Sequence, residues 1–547
     1  MASDDKRHSL PFILHQDLID DFLPRIGKEQ WQPLYVSGDV RPDRFGLFSA
    51  LLKANDVASA LAHDSWDLRI GDGRPGFSQG WDQGKEVTTY HRYGGLGTIR
   101  PLVVYRDFYG AFPSYLELCE EFVHYHNLAH DHKRGVLLDF DRSGYDIEVA
   151  RIKPALVEAS TKYLRRFQAG THHFLGIYVD AVRYSKLPLD DVPKDQRTVE
   201  VVTGTTRYRR DVVECDHMEG YATFSRFLLK VLLPPPPQNE GGIWPYEQND
   251  DDREVSFIIR VDEKGNAVEH TSNPDTLKNY FGANPHAPHY LTPVYFRREV
   301  LSKYYADPDR YTVSDGHLSC LSIWGVRIDN DLPAQVVVFL GDLGRDLPYE
   351  ERLHWRQFNV PPAEGISETN YKRSFLAQFT DPKAPDLAFK HEYERLVTAW
   401  ATTHGWPLFR PLGTGDEHLL DTLRIPLTNS QSELDDQVLT LTKLMVDSLN
   451  EDELEARSGG GEKGAKGITK LETFFKSTDF KEKESVITFL RNLQDLRSSG
   501  SGHRKGKRYA ALLADLGVDI RRKPDIMVRL LTEGIGVLKS LQAHFCP

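Results

Sequence analysis

An α+β protein, with mixed sheet-and-helix blocks ahead of an all-helical C-terminal bundle, is what three features of the sequence predict. Short apolar and β-branched runs of strand length recur over the first 430 residues. They alternate irregularly with segments of helical period, not in the regular strand–helix rhythm of a doubly wound sheet. From residue 431 the strand-like runs stop and only helical periodicity remains, as in a separate bundle.

In the first block, residues 1–233, the runs Val87–Tyr90, Ile99–Tyr105, Val136–Phe140, Phe174–Val179 and Thr198–Val202 read as strands. Pro113–His132 places Tyr115, Leu118, Cys119, Phe122 and His126 at helical spacing and is expected to be a helix. A second helix is expected to open at Pro154. Leu156, Ser160, Tyr163, Leu164 and Phe167 would share its face and Gly170 would stand at its C-cap. Pro234–Pro237 followed by QNEGG makes 234–243 a linker or surface loop, stiff at first and then released by glycine.

The second α+β block, 244–430, opens with a hairpin in which Val255–Arg260 and Ala267–His270 flank DEKGN. Tyr295–Tyr305 reads as a helix and Val336–Leu340 as a buried strand. GDLGRDLPYEERLHW reads as a turn and a helix whose charges Asp342, Arg345, Asp346, Glu350, Glu351 and His354 form a solvated face.

The third block, 431–547, begins with Ser432-Glu433-Leu434-Asp435, which fits a capping box. Val438, Leu441, Met445 and Leu449 follow as one stripe. SGGGEKGAKG (458–467) is expected to be a flexible low-complexity loop. Helical patterns resume at Ile468–Phe475, Ser485–Arg497, Arg504–Leu516 and Pro524–Phe545, the last lined by Met527, Leu531, Ile535, Leu538 and Leu541.

Composition narrows the function. The 547 residues are 40% hydrophobic and 27% charged, with a net charge of -12. An acidic chain does not coat itself in nucleic acid, so any such contact needs a local basic island. The four cysteines, Cys119, Cys215, Cys320 and Cys546, are far apart and form no CxxC pair, which argues against a disulfide framework or a thiolate zinc site. No secretory signal and no run of membrane-spanning length is evident, so a cytoplasmic location is expected.

The basic island is RNLQDLRSSGSGHRKGKRY (491–509), with six basic residues and one acid between Arg491 and Arg508. Val486, Leu490 and Leu493 form a stripe into which Arg497 falls. A guanidinium resists dry burial, so it either snorkels out at the helix end or marks an opening. The helix is expected to break at Ser498-Ser499-Gly500-Ser501-Gly502, with His503 at the start of the next.

An arginine and a histidine separated by five residues, in a helical and basic setting, resemble the R-x4-6-H motif of HEPN domains. The resemblance covers only about the last fifth of the chain. It implies a four- or five-helix bundle acting as a metal-independent endoribonuclease, with no cofactor and no metal. It also implies dimerisation through the bundle and a role in bacterial antiphage defence, abortive infection or a toxin-type system. His503 would move the proton and Arg497 would hold the scissile phosphate. Arg491, Arg504, Lys505, Lys507 and Arg508 would contact RNA. Family members often carry Asn, Asp or His directly after the arginine, where this chain has Ser498. The N-terminal blocks, which resemble a bacterial family of unknown function, would sense a phage-derived or nucleic-acid trigger.

Two other readings stay open: a non-enzymatic HEPN-like scaffold, and a metal-dependent nuclease in the N-terminal half. For the second, Asp139, Asp141, Asp146 and Glu148 surround an expected hairpin turn, and turns collect aspartate for their own hydrogen bonds. His124, His126, His130 and His132 cluster in FVHYHNLAHDH, and His126 and His130 have the i, i+4 spacing of a zinc pair, but no third ligand can be named. Gly94-Gly95-Leu96-Gly97 lacks a P-loop lysine and reads as a hairpin connection. Ser314, His317, Ser319 and Cys320 show no nucleophile elbow.

Overall fold

A computed structural model describes residues 8–40, 42–63, 75–92, 99–244, 253–363, 365–458, 464–500, 507–519 and 521–547. It is 39% helix and 28% strand, with the sheet-rich part N-terminal and the helical part C-terminal, so the chain is α+β. Two compact units form: Met1–Asp141 with Tyr145–Asn249, and Arg142–Gly144 with Asp250–Pro547.

The first unit is built on an 11-stranded sheet. Its order is Thr198–Thr203, Thr206–Glu214, Thr223–Leu233, Phe174–Ser185, Asp43–Leu52, Trp31–Val40, Leu156–Ser160, Asp146–Lys153, Val136–Phe140 and Ala129–Asp131, with Arg100–Pro101 paired beside Asp43–Leu52. Asp43–Leu52 is buried on both faces from Gly46 onward, which is why its sequence is nearly continuously apolar. Leu47 and Leu51 face a core completed by Tyr163, Leu164 and Phe167 of the helix Thr161–Thr171. Phe48, Ala50 and Leu52 face a second core with Tyr178 and Ala60 of the short helix Val57–Ala62.

That short helix is held by two buried cations. Lys230, fully buried, donates to the Ala60 carbonyl at 2.8 Å and to the His63 carbonyl. Arg207 donates to the Leu61 and Ala62 carbonyls at 3.0 and 2.9 Å. These are the orphan acceptors at the negative end of the helix dipole, and Arg207 also pairs with Glu200 at 2.7 Å.

Several expected elements change type here, each because strand pairing overrides helical spacing. Within Pro113–His132, Tyr115–Leu118 pairs with Val103–Arg106 as a strand, the helix is only Glu120–Tyr125, and Ala129–Asp131 is an edge strand. Leu156–Ser160 is likewise a strand, paired on both sides, and the helix starts at Thr161. His172, at φ 55°, takes the left-handed C-cap expected of Gly170. Gly170 is needed for space instead: a Cβ there would lie 2.1 Å from the Tyr125 hydroxyl, which donates to the Gly241 carbonyl at 2.8 Å. The segment after the four prolines thus packs on this unit, with Glu240 also paired to Arg165 at 3.2 Å.

In the second unit the expected hairpin forms as Ser256–Val261 and Ala267–Thr271, and Gln335–Phe339 is a buried strand. Tyr295–Tyr305 is not one helix: Pro293–Arg297 pairs with Gln335–Phe339, a 3-10 turn follows over Arg298–Leu301, and only Ser302–Tyr305 is α-helical. The GDLGRD turn is a helix, Leu340–Asp346, followed by Tyr349–Phe358. Its charges form a solvated face only in part: Arg345 and Glu350 are exposed, but two of the acids are buried. Asp342 is buried and accepts from the Tyr290 hydroxyl at 2.9 Å. Glu351, 1% exposed, accepts from Lys303 at 2.5 Å and from the Tyr304 hydroxyl at 2.6 Å, and Trp355 donates to that hydroxyl at 2.7 Å.

The helical core packs Gln431–Thr442, Gly467–Lys476, Lys483–Gly500, Lys507–Asp515 and Lys523–Phe545 together. It also takes in the helix Pro385–His404, upstream of residue 431, through Phe389, Leu396 and Trp400. No strand occurs among the described residues from 431 onward. The capping box is displaced: Ser430 is the N-cap and Ser432 lies inside the helix. Glu433 reaches back to accept from the Leu427 and Thr428 amides at 2.9 and 3.0 Å, doing the acid's part of the motif without the serine's. Residues 459–463 of the glycine-rich loop, and Gly94–Gly97, lie outside the described residues.

Two stability outcomes follow. Glu351→Ala leaves the exposed Lys303 ammonium and the buried Tyr304 phenol without their carboxylate and should cost about 1–3 kcal/mol in urea unfolding; a cost under about 0.5 kcal/mol would show the network to be solvated. Gly170→Ala should destabilise by about 1–3 kcal/mol through overpacking on Tyr125, and Tyr125→Phe in the same chain should return part of that loss.

Candidate functional site

Arg497 stands near the end of the helix Lys483–Gly500. Val486, Leu490, Leu493 and Leu496 of that helix are buried in the core, and they bring Arg497 to the edge of their stripe. Its side chain, 34% exposed, does not stay in the apolar layer. Nη1 reaches out and donates to Asp447 Oδ2 at 2.6 Å. Asp447 closes a π-turn, Lys443–Asp447, that continues the helix Gln431–Thr442. A wide turn there swings the carboxylate toward the neighbouring helix. The pair is half exposed, so its contribution to stability is at most about 1 kcal/mol.

Beside Arg497 a small cleft, about 10 Å³, is lined by Asp435, Leu496, Tyr509, Leu513 and Ile526. It is about the size of one water probe. The Tyr509 hydroxyl accepts from Gln431 Nε2 at 2.9 Å, and burial pushes its pKa up.

Of the stretch Ser498–Gly502 expected to break the helix, Ser498, Ser499 and Gly500 are still helical, and Ser501 and Gly502 lie outside the described residues. The helix runs on through Gly500, because the Ser498 hydroxyl donates to the Gln494 carbonyl at 2.8 Å and so stays satisfied within the helix. That hydroxyl is turned to its own backbone. His503, Arg504 and Lys505 lie outside the described residues, as do the side chains of Lys507 and Arg508. Arg491 is exposed and pairs with Glu472, which also binds Lys476 at 3.1 Å, so this arginine enters any RNA contact already partnered by a carboxylate.

The other expected clusters resolve into structural roles. His126 and His130 do not share a helical face: His126 is the C-cap of Glu120–Tyr125 and His130 is on the strand Ala129–Asp131. His126 Nε2 donates to the Tyr163 carbonyl at 3.0 Å, and Phe122, Tyr125 and Tyr163 meet its ring edge-on at 4.8–5.0 Å. Burial among these rings lowers its pKa to about 4. Asp139 accepts from the Tyr163 hydroxyl at 2.6 Å, Asp141 accepts from the Tyr145 amide at 2.9 Å, and Asp146 and Glu148 both take Arg134 at 2.6 and 2.9 Å. Among the described residues no group of three or more His, Cys, Asp or Glu side chains could hold a metal ion. No helix among them is long and apolar enough to cross a membrane.

Sequence reasoning passed over a large cavity in the second unit, about 940 Å³, walled in part by His317, Asp329 and Thr369. The one signal for it was the density of aspartates in VRIDNDLP and FTDPKAPD, which no motif organises.

No family model matches this chain, no curated protein matches it, and no solved structure matches it.

The His126 environment sets a pH dependence. Its folded pKa lies below the unfolded value of about 6.5, so the unfolded chain binds the proton first and stability falls as pH drops from about 6.5 toward 4. The loss should approach roughly 3 kcal/mol at the acid end of that window. Urea melts at pH 7 and pH 4.5 should therefore converge for His126→Phe relative to wild type, and an unchanged pH slope in the variant would refute the assignment.

Proposed function

We propose that the chain is a metal-independent endoribonuclease, acting as an effector in a bacterial antiphage-defence, abortive-infection or toxin-type system. The observation that carries this reading is the position of Arg497: a guanidinium brought by an apolar helix stripe to the surface of a bundle, held by Asp447, six residues before a histidine in the chain's basic island. The N-terminal unit has the sensing or regulatory part, and the bundle pairs with a second copy.

The chemistry follows from the residue types. A ribose 2′-oxygen attacks the adjacent phosphorus, the bond from phosphorus to the 5′-oxygen breaks, and a 2′,3′-cyclic phosphate and a free 5′-hydroxyl result. An imidazole ordinarily titrates near neutral pH, which suits His503 to serve as the proton donor to the leaving oxygen or the acceptor from the attacking hydroxyl. Arg497 binds the phosphate oxygens in its planar fork as their charge grows. To do so it exchanges Asp447 for the phosphate, and that carboxylate keeps the fork oriented until RNA arrives. Arg504, Lys505, Lys507 and Arg508 steer the backbone, a contribution that weakens with salt.

The purified chain should cleave single-stranded RNA in the presence of EDTA. His503→Ala should lower the rate by about 10²–10⁴-fold at unchanged melting temperature, and Arg497→Ala should lower it at least as far. Wild-type rates from both variants, or strict dependence on added Mg²⁺ that survives deletion of residues 432–547, would overturn the proposal.

A further inference from the structure

The 11-stranded sheet of the first unit ends differently at its two sides. At one side Ala129–Asp131 is three residues long and carries the polar side chains of His130 and Asp131. A short, charged edge discourages a further strand. The other side has no such guard. Thr198–Thr203, with the sequence TVEVVT, is six residues long, holds no proline and no lysine, and is β-branched at every position but one. Val202 on it is 59% exposed.

Which backbone groups of this strand are free follows from its neighbours. The Leu232 amide donates to the Thr205 carbonyl at 2.9 Å, so the odd-numbered residues from Thr205 onward turn their backbone bonds to Thr223–Leu233. Antiparallel ladders alternate, so Thr206, Tyr208 and Arg210 bond their partners on the other side, Thr203, Val201 and Val199. Thr198, Glu200 and Val202 therefore point their amides and carbonyls away from the sheet. Among the described residues no strand pairs with that side, and all three of these residues are exposed. The one charge on the strand, Glu200, is already taken by Arg207 at 2.7 Å. An open edge of β-forming residues with no free charge is a template for another strand.

We propose that this edge pairs antiparallel with the same edge of a second copy, so that one sheet runs through two chains. A two-fold axis relating such strands stands perpendicular to the sheet and passes beside a residue that meets itself. Two central residues could take that place. A centre at Glu200 sets two carboxylates opposite each other, which is destabilising. A centre at Val201 sets Val201 against the partner's Val201 and Glu200 against the partner's Val202, with no like charges opposed. The outward backbone groups of Glu200 and Val202 then exchange hydrogen bonds across the axis, and Val201 forms the close, non-bonded pair between them. The charge pattern thus selects the second register. An isologous contact of this kind uses up both free edges at once and closes, whereas a one-sided contact would leave one edge open. The contact lies in the first unit and rests on neither the nuclease reading nor the pairing of the helical bundle.

Disulfide trapping in the full chain reads this contact separately from any other. In a non-bonded antiparallel pair the Cα atoms lie about 4.5 Å apart, within the range that a disulfide spans. Val201→Cys should therefore give a disulfide-linked dimer under mild oxidation, whereas the wild type, with its four native cysteines, should not. Val199→Cys, which would face the partner's Thr203 and not itself, should stay unlinked. Val202→Pro added to Val201→Cys removes an outward amide that the single chain does not use, so linking should slow at least tenfold with little change in melting temperature. Val202→Glu in the same background, set opposite the partner's Glu200, should slow linking as well, and Val202→Lys should not. An unlinked Val201→Cys, equal linking in Val199→Cys or in the wild type, linking that survives Val202→Pro, or equal rates for Val202→Glu and Val202→Lys would each overturn the proposal.

Discussion

A charge taken out of water has to be answered, and the groups that answer it hold neighbouring segments of this protein in place. Lys230 and Arg207 are met by the carbonyls that end Val57–Ala62, and so seat that helix on the sheet. Glu351 is met by Lys303 and Tyr304, and so joins the helix Tyr349–Phe358 to Ser302–Tyr305. Asp329 and Asp331 are met by amides that open two helices. Apolar burial supplies the bulk of the cohesion, but it is non-directional. The buried charges select which segment packs where.

The same rule acts at the surface with the opposite outcome. Arg497 is carried toward the core by the stripe of Leu490, Leu493 and Leu496, and it escapes to Asp447 because that route is open. A charge held at the boundary by a half-exposed partner can exchange that partner at small cost, whereas a charge buried like Lys230 or Glu351 cannot. This difference separates a residue suited to meeting a phosphate from residues that build the fold.

Where local pattern and partner agreed, the sequence could be read directly. Val136–Phe140, the hairpin around DEKGN, Gln335–Phe339 and the long helix Lys523–Phe545 all stand close to where periodicity and turn chemistry put them. Where a short apolar run carried both periods, the partner decided. Leu156–Ser160 has helical spacing to Tyr163 and Phe167, yet two neighbouring strands claim its backbone bonds. Gly170 looked like a cap and is a gap for Tyr125, which lies far from it in the chain.

By itself the sequence determined the α+β class, the helical C-terminal end, the basic island and the alternation of its strands, because these follow from composition and from contacts within a few residues. Only tertiary structure decided which charges are buried, that Ser498 serves its own helix, that Asp447 meets Arg497, and that aspartates scattered from 315 to 421 line one cavity. Each of those depends on groups distant in the chain being brought within hydrogen-bonding range, and neither spacing nor propensity encodes such a meeting.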